Sequence, residues 1–98
     1  MARFDVYTAP DGSGYLLDCQ ADLLGDFDTR FTVPLLPASG AKAATRLHPI
    51  FDVNGEKVVM VTQLALAVPV KILDRPVTSL ADRHGEIMNA LDMLLTGY

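Results

Sequence analysis

The apolar residues of this chain change their spacing once, near residue 80, and that change restricts the fold more than any other feature. Before it, apolar and polar residues alternate in short segments, as they do along half-buried strands. After it, Leu80, His84, Ile87, Leu91 and Leu94 follow at spacings of 4, 3, 4 and 3, which puts them on one face of a helix. Ser79 with Asp82 three residues on approximates a capping box, so the helix is predicted to start near Leu80. Gly97 lies where a helix end wants a left-handed residue. A run of short strands followed by one amphipathic helix leaves few arrangements. A small sheet with an open apolar face needs a cover, and the helix supplies it.

The strands are bounded by turn chemistry. Asn54-Gly55 is the sharpest signal, because a two-residue hairpin turn of the I′ type needs positive φ twice. It predicts a hairpin between Leu47 to Val53 and Lys57 to Leu64. Ala9 to Gly14, with Pro10, Gly12 and Gly14, predicts a second hairpin. Its arms are Phe4 to Thr8, with Phe4 and Val6 inward and Asp5 and Tyr7 outward, and Tyr15 to Gln20. Ala21 to Phe27 reads as a loop. Arg30 to Val33 reads as a short strand stopped by Pro34, and Leu36 to Thr45 as a loop or loose turn. Val68 to Leu73 is a further strand, which Pro69 confines to an edge or a bulge.

Length and charge narrow the function classes. A chain of 98 residues is one domain, spanning 1–98, with a modest core. Half of its residues are apolar, which fits either a buried oligomer interface or a dense core. A net charge of −4 suits neither phosphate neutralisation nor anionic membranes. Cys19 is the single cysteine, so no intrachain disulfide forms and no zinc-site spacing exists. Alternating with Asp18, it reads as a small buried apolar group. Asp26 and Asp28 lack the glycine and glutamate of a calcium loop. No cofactor is expected. The first residues carry no signal-peptide core, and no apolar run approaches the roughly 20 residues of a membrane span, so a cytoplasmic protein is expected.

Order and spacing over the whole length resemble one family. Val6-Tyr7-Thr8 resembles the first strand of the CcdB toxins. Leu17-Asp18-Cys19-Gln20-Ala21-Asp22-Leu23-Leu24 resembles their Val-Asp-Val-Gln-Ser-Asp-Ile-Ile segment. Arg30 with Val33-Pro34-Leu35 resembles their Arg…Ile-Pro-Leu, and Val68-Pro69-Val70 their Val-Pro-Val. Asn89-Ala90 and Gly97 sit in a stretch similar to their last helix. The resemblance implies a homodimer of SH3-like barrels whose tail helices lie side by side at the dimer axis. It implies a toxin that enters the gap between the gyrase A subunits and traps the enzyme after DNA cleavage. A CcdA-like antitoxin with a disordered tail would extract it. Nucleic acid would be met only by the toxin–antitoxin complex.

By position, the resemblance assigns gyrase contacts to Leu23, Leu24, Asp92, Leu95, Thr96, Gly97 and Tyr98. Helical phase agrees for Asp92, Leu95 and Thr96, which fall off the apolar stripe. Local packing of Leu23-Leu24 against the barrel, and a core or dimer contact for Leu95, are the alternatives. The familiar toxin ends Trp-Gly-Ile and stacks its tryptophan on a gyrase arginine. This chain ends Thr96-Gly97-Tyr98. Thr96 cannot stack, whereas the Tyr98 ring could reach an arginine; a frayed helix cap is the other reading. The family's first hairpin is basic, while Ala9 to Gly14 has no basic residue, which implies a differently charged antitoxin segment.

Two rival functions belong to other classes. The MazF and Kid endoribonucleases share the barrel, and Arg30, His48 and Asp52 could be drafted for acid–base chemistry. A non-toxic decoy that binds gyrase or antitoxin is the other. His84, on the apolar stripe, reads as a core or interface residue, and His48 as an ordinary strand residue.

Overall fold

The computed structural model describes residues 1–39 and 44–97. β1 (Asp5–Thr8) and β2 (Tyr15–Asp18) form the first hairpin, with Val6 opposite Leu17 and Tyr7 opposite Leu16. β2 pairs onward with β3 (Thr29–Pro37). β4 (Ile50–Val53) and β5 (Glu56–Met60) form the second hairpin across Asn54-Gly55. Both turn residues take positive φ, 51° and 87°, as the dipeptide requires. β6 (Leu66–Pro69) and β5 share one edge of β3: β6 takes Thr29–Thr32 and β5 takes Leu35–Pro37. β7 (Thr78–Ser79) adds to the outside of β1. α1 (His84–Thr96) follows. The described strands pair antiparallel throughout and make a nearly closed, SH3-like barrel of short strands with one C-terminal helix.

Pro34 does not stop its strand. β3 runs three residues past it because Pro34 falls where the edge changes partner, between the β6 and β5 segments. No ladder bond is needed from its nitrogen there, and its carbonyl still accepts from the Val61 N–H at 3.0 Å. The loop expected from Leu36 therefore begins later, and its centre, residues 40–43, lies outside the described residues. Past Pro69 the strand expected to reach Leu73 ends instead, after a last bond from the Val70 N–H to the Asp28 carbonyl at 2.8 Å, where β3 has not yet begun. Val70–Ile72 turns in a single tight helical turn. The arms of the second hairpin are likewise shorter than expected, Pro49 and a tight turn at Thr62–Leu64 bounding them.

Two apolar clusters hold the barrel. The larger joins Val6, Leu17, Val33, Leu35, Phe51, Val53, Val58 and Met60 to Leu80, Ile87, Ala90 and Leu91, so the helix covers one open side. The smaller joins Tyr7, Ala9 and Leu16 to Val68 and Leu73. Tyr7, expected outward, is buried for this reason: the chain from β6 to Leu73 crosses the outer face of the first hairpin. β1 and β2 thus bury both faces. Phe4 sits just before β1 at φ 71°, a left-handed conformation that costs a bulky side chain about 1–3 kcal/mol. It is held by its N–H on the Asp18 carbonyl at 2.6 Å and its carbonyl under the Leu80 N–H at 2.9 Å.

The helix starts later than its periodicity suggests. The Ser79 hydroxyl accepts from the Ala81 N–H at 3.2 Å at the entry to a 3₁₀ turn over Ala81–Arg83, and α1 opens only at His84. Leu80 is buried at the strand end, not on the helix. His84 heads the helix in solvent, contrary to its place on the stripe, because it is the first residue of α1, one turn ahead of Ile87, where the helix first reaches the core. Among the described residues no helix is long and apolar enough to cross a membrane.

Candidate docking surface

Two segments carry the residues singled out from sequence: the loop after β2 and the end of α1. Every residue from Ala21 to Thr29 is exposed, so no side chain of this loop anchors it in the core. Leu23 is 93% and Leu24 43% exposed, and Phe27 stands out beside them. Local packing of the leucine pair against the barrel is thereby set aside for Leu23. The loop also carries Asp22, Asp26 and Asp28 and no basic residue. It therefore offers apolar side chains ringed by carboxylates.

Backbone and polar bonds fix the loop. Leu24 N–H donates to the Ala21 carbonyl at 2.9 Å and Gly25 N–H to the Asp22 carbonyl at 3.1 Å, forming a tight turn over Asp22–Leu24. Arg3 N–H donates to Asp22 Oδ1 at 2.7 Å. The Arg3 guanidinium lies over the Phe4 ring and donates through Nη2 to Met88 Sδ on α1 at 2.9 Å. Beneath the loop, Arg30 donates through Nε and Nη2 to Asp18 Oδ2, at 2.9 and 2.5 Å, with both side chains withdrawn from water. Asp18 Oδ1 accepts from the Gln20 N–H at 3.0 Å. The Gln20 amide then donates to the Leu24 carbonyl at 2.7 Å and accepts from the Phe31 N–H at 2.9 Å. Sequence reasoning missed this bonding of Arg3, Asp18, Gln20 and Arg30. The signal available was polar residues at alternate positions, Asp18 and Gln20, closing a strand just before an apolar loop.

At the other segment, Ile87, Ala90 and Leu91 are the last helical residues to reach the core. From Asp92 onward no described residue of α1 is buried, and Asp92, Met93, Leu94, Leu95, Thr96 and Gly97 are all exposed. Leu95 is 76% exposed, so no core contact claims it. Leu94, expected on the buried stripe, is 39% exposed for the same reason. Gly97 takes φ 80° and its N–H returns to the Met93 carbonyl at 2.9 Å, the left-handed end that glycine permits. The Thr96 hydroxyl donates back to the Asp92 carbonyl at 2.6 Å, and the residue is exposed. Tyr98 lies outside the described residues.

The residues that invited an acid–base reading are not brought together. Arg30 is enclosed with Asp18. Asp52 pairs with Lys57 at 2.7 Å on the outer hairpin. His48 stands in a bend before Pro49, not in a strand, and its Nε2 meets Gln63 Oε1 at 2.7 Å. Burial pushes the Cys19 thiol up to about 12, reinforced by the Asp18 charge, so it stays protonated near neutral pH and packs within the core. Among the described residues no three His, Cys, Asp or Glu side chains are grouped as a metal would need.

These features define a class: a small SH3-like barrel with a terminal helix, which displays apolar groups on a loop and a helix end. The particular family follows from comparison. The family model described as CcdB protein matches residues 3–97, nearly the full chain, and the chain belongs to the CcdB family, whose members are toxins of toxin–antitoxin systems.

Proposed function

We propose that this protein is the toxin of a type II toxin–antitoxin pair, a cytoplasmic homodimer that binds the gyrase A subunit and traps the topoisomerase with its DNA cleaved. Leu23 and Leu24 of the loop, with Asp92, Leu95, Thr96, Gly97 and Tyr98 at the helix end, make the contact. It acts by binding, with no reaction of its own. The observation that carries the reading is the exposure of Leu23 and Leu95 on two well-formed elements of a family member. Apolar side chains held this far into water favour a partner that covers them.

Thr96 replaces the tryptophan of the familiar toxin with a methyl group, and the stacking on arginine passes to Tyr98. Met93 and Leu94, exposed on the single chain, are covered by the helix of the second copy. A CcdA-like antitoxin neutralises the protein. Its cognate segment is suited to a first hairpin whose tip carries Asp11 and no basic residue.

Purified gyrase, DNA and micromolar protein test this. Stabilised cleavage complexes are expected, and Leu23→Ala or Leu95→Ala should raise the concentration needed by about tenfold. Absence of cleavage complexes at micromolar protein would sink the reading.

A further inference from the structure

We propose that Gln20 is a positioning residue for docking, holding the Leu23-Leu24 loop in its binding shape before the target arrives. The proposal rests on the docking role given above to that loop.

Within the loop only backbone bonds hold Leu24: its N–H on the Ala21 carbonyl at 2.9 Å and its carbonyl under the Phe27 N–H at 3.4 Å. Its side chains all face water, so burial does not order it. Gln20 spans its mouth from one side to the other. The amide oxygen takes the Phe31 N–H on β3, and the amide nitrogen holds the Leu24 carbonyl at the end of the tight turn. Cys19 N–H still bonds the Phe31 carbonyl at 2.9 Å, so the side chain of Gln20 replaces the next rung of the ladder.

Gln20 is itself immobilised from below. Its N–H is taken by Asp18, and Asp18 is locked by two bonds from buried Arg30. Such a pair gives a fixed platform with a single low-energy geometry, whereas its net gain in stability is small. The chain of contacts runs from buried charge to amide to loop carbonyl, and ends one residue from the most exposed leucine. A loop ordered in advance loses less freedom on binding, and the gain appears in affinity.

Gln20 differs in this from a residue that merely stabilises the barrel. Both bonds are only partly buried, so water can take them over when the amide is lost. Gln20→Met keeps the length of the side chain and removes both bonds. Gln20→Glu keeps the acceptor for Phe31 and removes the donor to Leu24.

The experiment compares wild type, both variants, Leu23→Ala, and Gln20→Met combined with Leu23→Ala. Affinity is read against purified gyrase A subunit, and amide hydrogen exchange is read on the free proteins. Both Gln20 variants should weaken binding about tenfold, the equivalent of one net hydrogen bond. Exchange of the Leu24 and Gly25 amides should quicken while β5 and α1 stay protected. In the Leu23→Ala background Gln20→Met should add little, because the two residues act through one contact. Unchanged loop exchange in Gln20→Met, or a fully additive loss of binding, would overturn the proposal. Wild-type protein that fails to bind gyrase A overturns the docking reading instead, and the exchange data still decide whether Gln20 orders the loop.

Discussion

Arg30 is the largest side chain fully enclosed among the described residues, and it is a charged one. Its two bonds to Asp18 are the reason it can be there. Removing one partner strands the other charge away from water. Arg30→Ala should therefore cost about 3–5 kcal/mol, a large share of the stability of a domain this size. Urea unfolding of the variant against wild type measures it, and a loss below 1 kcal/mol would contradict the account of this pair. Nothing in the sequence distinguished a structural arginine from a catalytic one, since the decision lies with Asp18, twelve positions away across the β2–β3 pairing. Tyr7 departs from its alternation for a similar reason: alternation describes one sheet face, and only the fold shows that a later segment covers the other.

Cys19 and Tyr7 give the residue scale a pH signature. Burial raises the thiol of Cys19 from its ordinary 9.0 to about 12, and burial with the nearby Asp5 and Asp18 charges raises Tyr7 above 10.0. Above pH 9 the unfolded chain releases the Cys19 proton while the folded chain retains it. The unfolded state then binds fewer protons, so stability falls as pH rises from about 9 toward 12. The slope is at most about 1.4 kcal/mol per pH unit for each group. Cys19→Ala should flatten the first part of this decline in urea melts taken between pH 8 and 10.5, by the same principle.

Among the elements, the second hairpin was legible and the third strand was not. Asn54-Gly55 has a local cause for its conformation, two positive φ angles, and local causes can be read directly. Gly55 has open space where a Cβ would go, so its requirement is purely conformational. Gly55→Ala should then cost about 1–2 kcal/mol, shifting the urea midpoint with no change in slope. A neutral substitution would mean that the turn is not of the I′ kind. Pro34 has no local cause for being tolerated; it depends on which strand lies beside it, which is a tertiary fact. The helix shows both cases. Its existence and its glycine end were readable, whereas its first residue was displaced by a tight turn that periodicity does not register.

The candidate surface divides in the same way. Exposure of Asp92, Leu95 and Thr96 followed from helical phase. Exposure of Leu23 followed only from its resemblance-based assignment and became a physical observation in the fold. The anchoring by Gln20 was invisible, because a glutamine at a strand end can turn either way until both of its partners are in place.

At the scale of the whole molecule, a barrel of short strands leaves its core to the sheet and spends its helix twice. The first half of α1, through Leu91, seals the barrel. The second half contributes nothing to the buried core and holds Leu95 76% exposed. A family member built this way keeps the apolar side chain of Leu95 out of its own core. The central claim is that this helix end, with the Leu23-Leu24 loop, reaches gyrase despite the exchange of tryptophan for Thr96. Growth of a bacterial host expressing the protein tests it most directly, in a normal strain and in one carrying a CcdB-resistant gyrase A subunit. The account predicts killing in the normal strain and survival in the resistant one. Equal killing in both strains, or growth in both, would contradict it.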